Sequence, residues 1–159
     1  MSKIGLMFVK LFGKDLSNFK SQKKAEQYFK KYIDRYTKIL EKLSKYTNEF
    51  TMDFSPESLK KIELWYFNLY ESNKFSEIGT DRSIFEKCIA VYFGNVVIKN
   101  VDNAHWDVSE YPFIEGKYEF GVTKDIVSIM LTKKFNDLYK IPSNKKKQSI
   151  FRMYKKYFI

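Results

Sequence analysis

The sequence predicts an α+β fold: an N-terminal helical bundle, a small antiparallel three-stranded sheet near residues 105–130, and C-terminal helices. Three observations carry this. Apolar residues recur every three or four positions up to about Asn100, which is the period of one helix face. After Asn100 they fall into short segments rich in Val, Ile, Tyr and Phe, separated by turn-forming residues. Helical spacing then returns over 150–158. At 159 residues, without repeats or Ser/Gly/Pro-rich linkers, the chain is expected to fold as one domain, 1–159.

The first element is a short amphipathic helix, because Ile4, Met7, Phe8, Leu11 and Phe12 follow i, i+3, i+4, i+7, i+8 spacing while Lys3, Lys10 and Lys14 lie elsewhere. Its stripe is expected to lie on the chain's own core; the other reading is a membrane-surface or partner-binding helix. From 16 to 47 nothing breaks a helix, and Ala25, Phe29, Tyr32, Tyr36, Ile39, Leu43 and Tyr46 alternate four and three apart. A coiled-coil seam prefers Leu and Ile at such positions. The aromatic stripe, widened by Tyr28 and Leu40, instead predicts a helix packed in a bundle or on a sheet.

Ser55-Pro56-Glu57 reads as a helix start: Ser55 can cap, Pro56 loses nothing at the first position, and Glu57 favours the positive end of the dipole. That helix runs through Leu59, Ile62, Trp65, Tyr66, Leu69 and Tyr70 and breaks over 73–79. Thr80 or Asp81 then caps a helix in which Ile84, Phe85, Cys88, Ile89, Val91, Tyr92, Phe93, Val96 and Val97 leave little polar face, so it is expected to be central and buried. A glycine inside a helix costs about 1 kcal/mol relative to alanine, so Gly94 is expected to mark a close approach by another backbone.

Strands are expected over 105–109, 117–122 and 126–130, with turns at Tyr111-Pro112, Glu115-Gly116 and Thr123-Lys124-Asp125. A helix is expected over 133–140, stopped by Ile141-Pro142-Ser143. Ser143 then caps a last helix whose apolar face is Ile150, Phe151, Tyr154, Tyr157 and Phe158.

Composition narrows the function classes. Aromatic residues make up 18% of the chain, enough large rings for a substantial core. One cysteine forms no internal disulfide, and no apolar run approaches the roughly 18 residues of a membrane span. The N-terminal stretch lacks the features of a signal peptide, so a cytoplasmic protein is expected. The net charge of +10 is concentrated in two segments: nine Lys/Arg against three acids over 20–46, and nine against one over 133–156. Only Arg35, Arg82 and Arg152 are arginines, and lysine acts as a point charge, so nucleic-acid binding through these segments would be non-specific.

Chemistry-bearing motifs are sparse. One histidine and one cysteine give no metal-ligand spacing, and six scattered glycines give neither a phosphate loop nor a dinucleotide fingerprint; no metal and no cofactor are expected. A Cys88–His105 nucleophile pair would need an open thiol, whereas Cys88 falls in the buried run. Asp107, Glu110, Glu115 and Glu119 near the sheet could pair as acid and base, or be exposed residues balancing the basic helices. No catalytic residue is assigned, and the chain is read as non-enzymatic.

Two constellations remain. His105-Trp106-Asp107 with Tyr111 sets an indole and a phenol beside polar groups, which makes Trp106, Glu110 and Tyr111 the candidate partner-binding residues. Lys145, Lys146, Lys147, Arg152, Lys155 and Lys156 interleave with aromatics and are the candidate polyanion-binding residues. Those aromatics share one helix face and the cations the other, as on any docked surface helix.

Asp53-Phe54-Ser55-Pro56-Glu57-Ser58-Leu59, Tyr92-Phe93-Gly94-Asn95-Val96-Val97 and Ala104-His105-Trp106 leading to Tyr111-Pro112 resemble a group of uncharacterised bacterial proteins over about residues 53 to 122. That group carries a Tyr-aromatic-Gly-Glu helix followed by a tryptophan-bearing strand, and the resemblance implies no established activity. Asn95 stands here in place of the Glu. The layout is also similar to that of some small bacterial immunity proteins, which block a toxin by binding it. The leading expectation is a non-enzymatic protein-binding module, toxin-neutralising or regulatory, with an unknown protein partner. The alternative is a non-specific nucleic-acid-binding protein using its lysine-rich helices.

Overall fold

The computed structural model describes residues 1–141 and 147–159. Its elements are α1 (Lys3–Lys14), β1 (Ser17–Asn18), α2 (Gln22–Ser44), α3 (Ser58–Ser72), α4 (Arg82–Asn100), β2 (His105–Glu110), β3 (Lys117–Lys124), β4 (Val127–Met130) and α5 (Ser149–Phe158). The class is α+β. Local chemistry sets the helix ends. Ser2, Ser21 and Asp81 accept main-chain N–H groups at the starts of α1, α2 and α4, and Asn73 closes α3 in the left-handed region at φ 54°. Ser55 caps the first turn before α3, its Oγ accepting the N–H of Ser58 at 3.2 Å.

β3 is the central strand. It pairs antiparallel with β2 along one side, Val108 opposite Phe120, and with β1 and β4 along the other. The expected three-stranded meander is β2–β3–β4. Leu16 to Asn18, expected as helix, instead leads into β1, which pairs Ser17 with Tyr118, and α2 starts only after the Ser21 cap.

Alternation along the strands puts Trp106, Val108, Phe120 and Val122 on one face of the sheet. This face packs on α2, where Phe29 stacks on Phe120 with ring centroids 5.2 Å apart. It also meets α4, the central helix, in which Phe85, Cys88, Ile89, Tyr92, Phe93, Val96 and Val97 are buried. α3 and α5 cover the other side, supplying Leu59, Ile62, Trp65, Ile150, Tyr154 and Phe158 to the same cluster. The α2 stripe turns inward through Ala25, Phe29, Tyr36, Leu40 and Leu43, whereas Tyr28 and Tyr46 stay exposed.

Three expectations are corrected. The close neighbour of Gly94 is a side chain and not a backbone: a Cβ there would collide with the Trp106 indole. Residues 133–140 form turns and a short 3₁₀ segment, Leu138–Lys140, because Lys133 and Asp137 sit at φ 60° and 53°. The buried Glu86 carboxylate holds that conformation by accepting the N–H groups of Asp137 and Leu138. The start of α5 is held by Glu63, which accepts both the N–H and the hydroxyl of Ser149; Ser143, the expected cap, lies outside the described residues. Finally, the apolar stripe of α1 does not lie on the core: Ile4, Met7, Phe8, Leu11 and Phe12 are all exposed.

Candidate interaction site at the free edge of the sheet

Among the described residues, β2 has β3 on one side and no strand on the other. In an antiparallel ladder, alternate residues turn both main-chain groups toward or away from the neighbour. The Val108 carbonyl points away from β3, since it accepts a hydrogen bond from the Gln22 side-chain amide on α2. Phe120, opposite Val108, likewise turns away from β2: its N–H donates to Thr132 Oγ1 at 3.0 Å and its carbonyl accepts from Leu131 at 2.8 Å. The main-chain groups of Trp106, Val108 and Glu110 therefore form the outer edge, and those of His105, Asp107 and Ser109 face β3.

A groove of about 510 Å³ runs along this edge between the two elements. α2 contributes Gln22, Glu26, Lys30, Ile33 and Asp34, and β2 contributes Trp106, Asp107 and Val108. Ile33, Trp106 and Val108 supply an apolar floor. Glu26 and Asp34 outnumber Lys30, so the rim is acidic although the chain is basic. The strand is fixed from behind: the indole of Trp106 sits against Gly94 and lies 6.2 Å from the Phe120 ring.

Of the candidate partner-binding residues, Trp106 and Glu110 come together on this edge. Glu110 is exposed, and its carboxylate sits beside the Tyr118 hydroxyl, whose pKa is raised by burial and then by that carboxylate. Tyr111 does other work. It is buried, its ring covers Gly13, and its hydroxyl donates to the Val9 carbonyl at 2.8 Å, clasping α1 to the sheet. Asn95, at the position where the resembling group has Glu, donates to Thr37 Oγ1 at 3.0 Å and joins α4 to α2.

The four acids separate. Glu110 belongs to the edge and Glu115 to the exposed turn. Asp107 lies on the opposite sheet face, where it accepts the hydroxyls of Ser109 at 3.1 Å and Thr123 at 3.3 Å. Glu119 shares that face but is buried; burial raises its pKa and nearby Lys133 offsets part of the rise. Cys88 is fully buried, which pushes its thiol up to about 12, and exposed His105 has its ring nitrogen 3.3 Å from its neighbour's carbonyl at Asn103. Among the described residues, no group of three or more His, Cys, Asp or Glu is placed to hold a metal.

Among the candidate polyanion residues, Lys147, Arg152, Lys155 and Lys156 are exposed, while Lys145 and Lys146 lie outside the described residues. The Phe151 ring among them is flanked by Lys60 and Lys155 at 4.2 and 5.9 Å, and Tyr154 is buried. Sequence reasoning missed the α2 half of the groove. Gln22 and Val108 are 86 positions apart, and nothing in the pattern around Gln22 signals that it reaches a strand edge.

The sequence model of a family described as "Uncharacterised protein YwmA" matches residues 18–158. The uncharacterized protein YwmA of Bacillus subtilis (strain 168) is 31% identical over 71 residues, a stretch covering 45% of this chain and 45% of the relative. The similarity thus spans less than half of the relative's length. No solved structure matches the chain.

Proposed function

The chain belongs to the family of uncharacterised YwmA proteins, and we propose that it is a non-enzymatic protein-binding module that takes up an extended segment of its partner along the outer edge of β2. The observation that supports this reading is the outward main chain of Trp106, Val108 and Glu110 beside a groove with an apolar floor. An added strand gains its affinity from such main-chain groups and its specificity from the alternate side chains that the groove receives. The acidic rim of Glu26 and Asp34 favours a segment that alternates apolar with basic residues. A toxin-neutralising and a regulatory role would both act by covering the partner's segment in this way.

The test uses a fluorescent octapeptide of alternating Val and Lys and follows its anisotropy. Val108→Pro removes the outward N–H while leaving the ladder to β3 intact, and proline is tolerated at such edge positions. It is expected to weaken binding about tenfold, the equivalent of one hydrogen bond. Gln22→Ala frees the Val108 carbonyl and is expected to tighten binding. Equal affinity of Val108→Pro and wild type would sink the reading, as would amide exchange at Trp106 and Val108 as slow as at Asp107 and Ser109.

A further inference from the structure

α1 is gripped at Val9 and Gly13, on the side of its smallest residues. Gly5, Val9 and Gly13 are spaced by four and line one side of the helix, and they are its least exposed residues. A Cβ at Gly13 would collide with the Tyr111 ring and with Ile114. Two lysines tie down the last turn: Lys133 Nζ donates to the Phe12 carbonyl at 3.1 Å, and Lys117 Nζ to the carbonyls of Lys14 and Leu16 at 3.0 and 2.7 Å. Because the body holds the glycine side, the apolar stripe points outward, with Ile4 65%, Met7 54%, Phe8 64% and Leu11 55% exposed.

The charges beside this stripe are of one sign. Lys3, Lys10 and Lys14 fall on one flank at 3.6 residues per turn, and Lys133 stands on the other, 5.1 Å from the Phe12 ring centroid. α1 contains no acid, and the nearest, Asp15, is 3.7 Å from Lys133. Alongside the helix runs a groove of about 630 Å³ with an apolar floor that includes Leu6, Leu11 and Ile114, rimmed by Lys3, Lys10 and Lys14.

We propose that α1 docks this protein on an anionic lipid surface, its apolar stripe entering the acyl boundary and its lysines meeting the phosphate headgroups. An in-plane helix of this kind combines apolar burial with attraction to anionic lipid. A second copy is a poorer occupant, since packing two stripes together would bring two sets of lysines face to face. A protein partner would need an acid-rimmed trough shaped to a convex ridge, whereas a bilayer surface presents anionic groups above an apolar layer without shaping. Among the described residues no helix is long and apolar enough to cross a membrane, so the contact is peripheral. The family match begins at residue 18, beyond α1, and the inference rests on this chain's own residues.

The experiment is co-flotation of the full chain with vesicles of pure phosphatidylcholine or of phosphatidylcholine with phosphatidylglycerol, at about 0.1 M salt, where surface charge is still felt over roughly 10 Å. Wild type is expected to be retained about tenfold more on the phosphatidylglycerol vesicles. Phe8→Glu, at an exposed position, is expected to abolish retention, and the triple variant Lys3→Gln, Lys10→Gln, Lys14→Gln to lower it to the phosphatidylcholine level. Leu64→Glu, at a 61% exposed position on α3, leaves it unchanged. Circular dichroism of each variant confirms that it is folded. Three outcomes overturn the proposal: no retention of wild type on anionic vesicles, retention of folded Phe8→Glu equal to wild type, or dimerisation that depends on Phe8 without vesicle binding.

Discussion

The carboxylate of Glu86 accepts the hydroxyl of Tyr66 at 2.6 Å, and this contact ties the central helix to α3 inside the core. The same carboxylate accepts the N–H groups of Asp137 and Leu138 at 3.2 Å each and pairs with Arg82 at 3.2 Å, while Arg82 reaches on to Asp137 at 2.8 Å. Tyr66 passes the connection on, its oxygen accepting the Tyr139 N–H at 3.1 Å. Burial and the adjacent carboxylate raise the Tyr66 pKa, so its hydroxyl remains the donor. A segment with left-handed backbone at two residues is thus held by one buried acid.

Glu86→Ala is expected to cost about 3–5 kcal/mol, because it leaves buried donors without an acceptor. Tyr66→Phe should cost about 1–1.5 kcal/mol, and the double variant less than the sum, since both belong to one network. Urea denaturation checks this. A cost below about 1 kcal/mol for Glu86→Ala would show that the 137–138 turn is held by other contacts.

Gly94→Ala is expected to destabilise by about 1–3 kcal/mol, the range for overpacking a filled core, because the added methyl meets the Trp106 indole. Combining it with Trp106→Leu should recover part of that loss. Thermal melts of the single and double variants make the comparison. Strict additivity would mean that the two residues do not share the space.

Glu119 should make stability fall as pH rises. Burial raises its pKa above the ordinary 4.5, so the folded chain keeps this proton to higher pH than the unfolded chain does. Its contribution is complete below the unfolded value and is lost as pH climbs through the raised folded value. Glu119→Gln is therefore expected to gain on the order of 1 kcal/mol at pH 7 and nothing near pH 4. Denaturation at both pH values checks the sign. An equal gain at both would exclude ionisation as the cause.

Periodicity and caps were enough to place most of the helices and the meander. Asp81 announces its helix chemically, and the alternating residues of β2 and β3 mark strands whichever neighbour they find, whereas the Ser21 cap that delays α2 was not read. What remained hidden depends on partners distant in sequence. The spacing over 133–140 suits a helix, but Glu86, some fifty positions earlier, holds it in turns. The α1 stripe reads as core-facing because amphipathicity reports that a helix has two sides and not which side meets the protein; the contacts of Tyr111 with Val9 and Gly13, rather than the larger side chains, made that choice. Trp106 and Glu110, singled out from the sequence together with Tyr111, lie on one strand edge, while the α2 wall of the groove beside Trp106 was not legible.

The Gln22 amide resting on the Val108 carbonyl bears on solubility as well as recognition. An uncapped strand is a template on which identical molecules can stack into fibres. Proteins often forestall this with a proline or a bulge, both permanent, whereas here the guard is one swinging side chain that a better donor can displace. The chain can thus discourage growth onto itself while remaining open to a competitor, and losing that guard should favour self-assembly as much as it favours the intended guest.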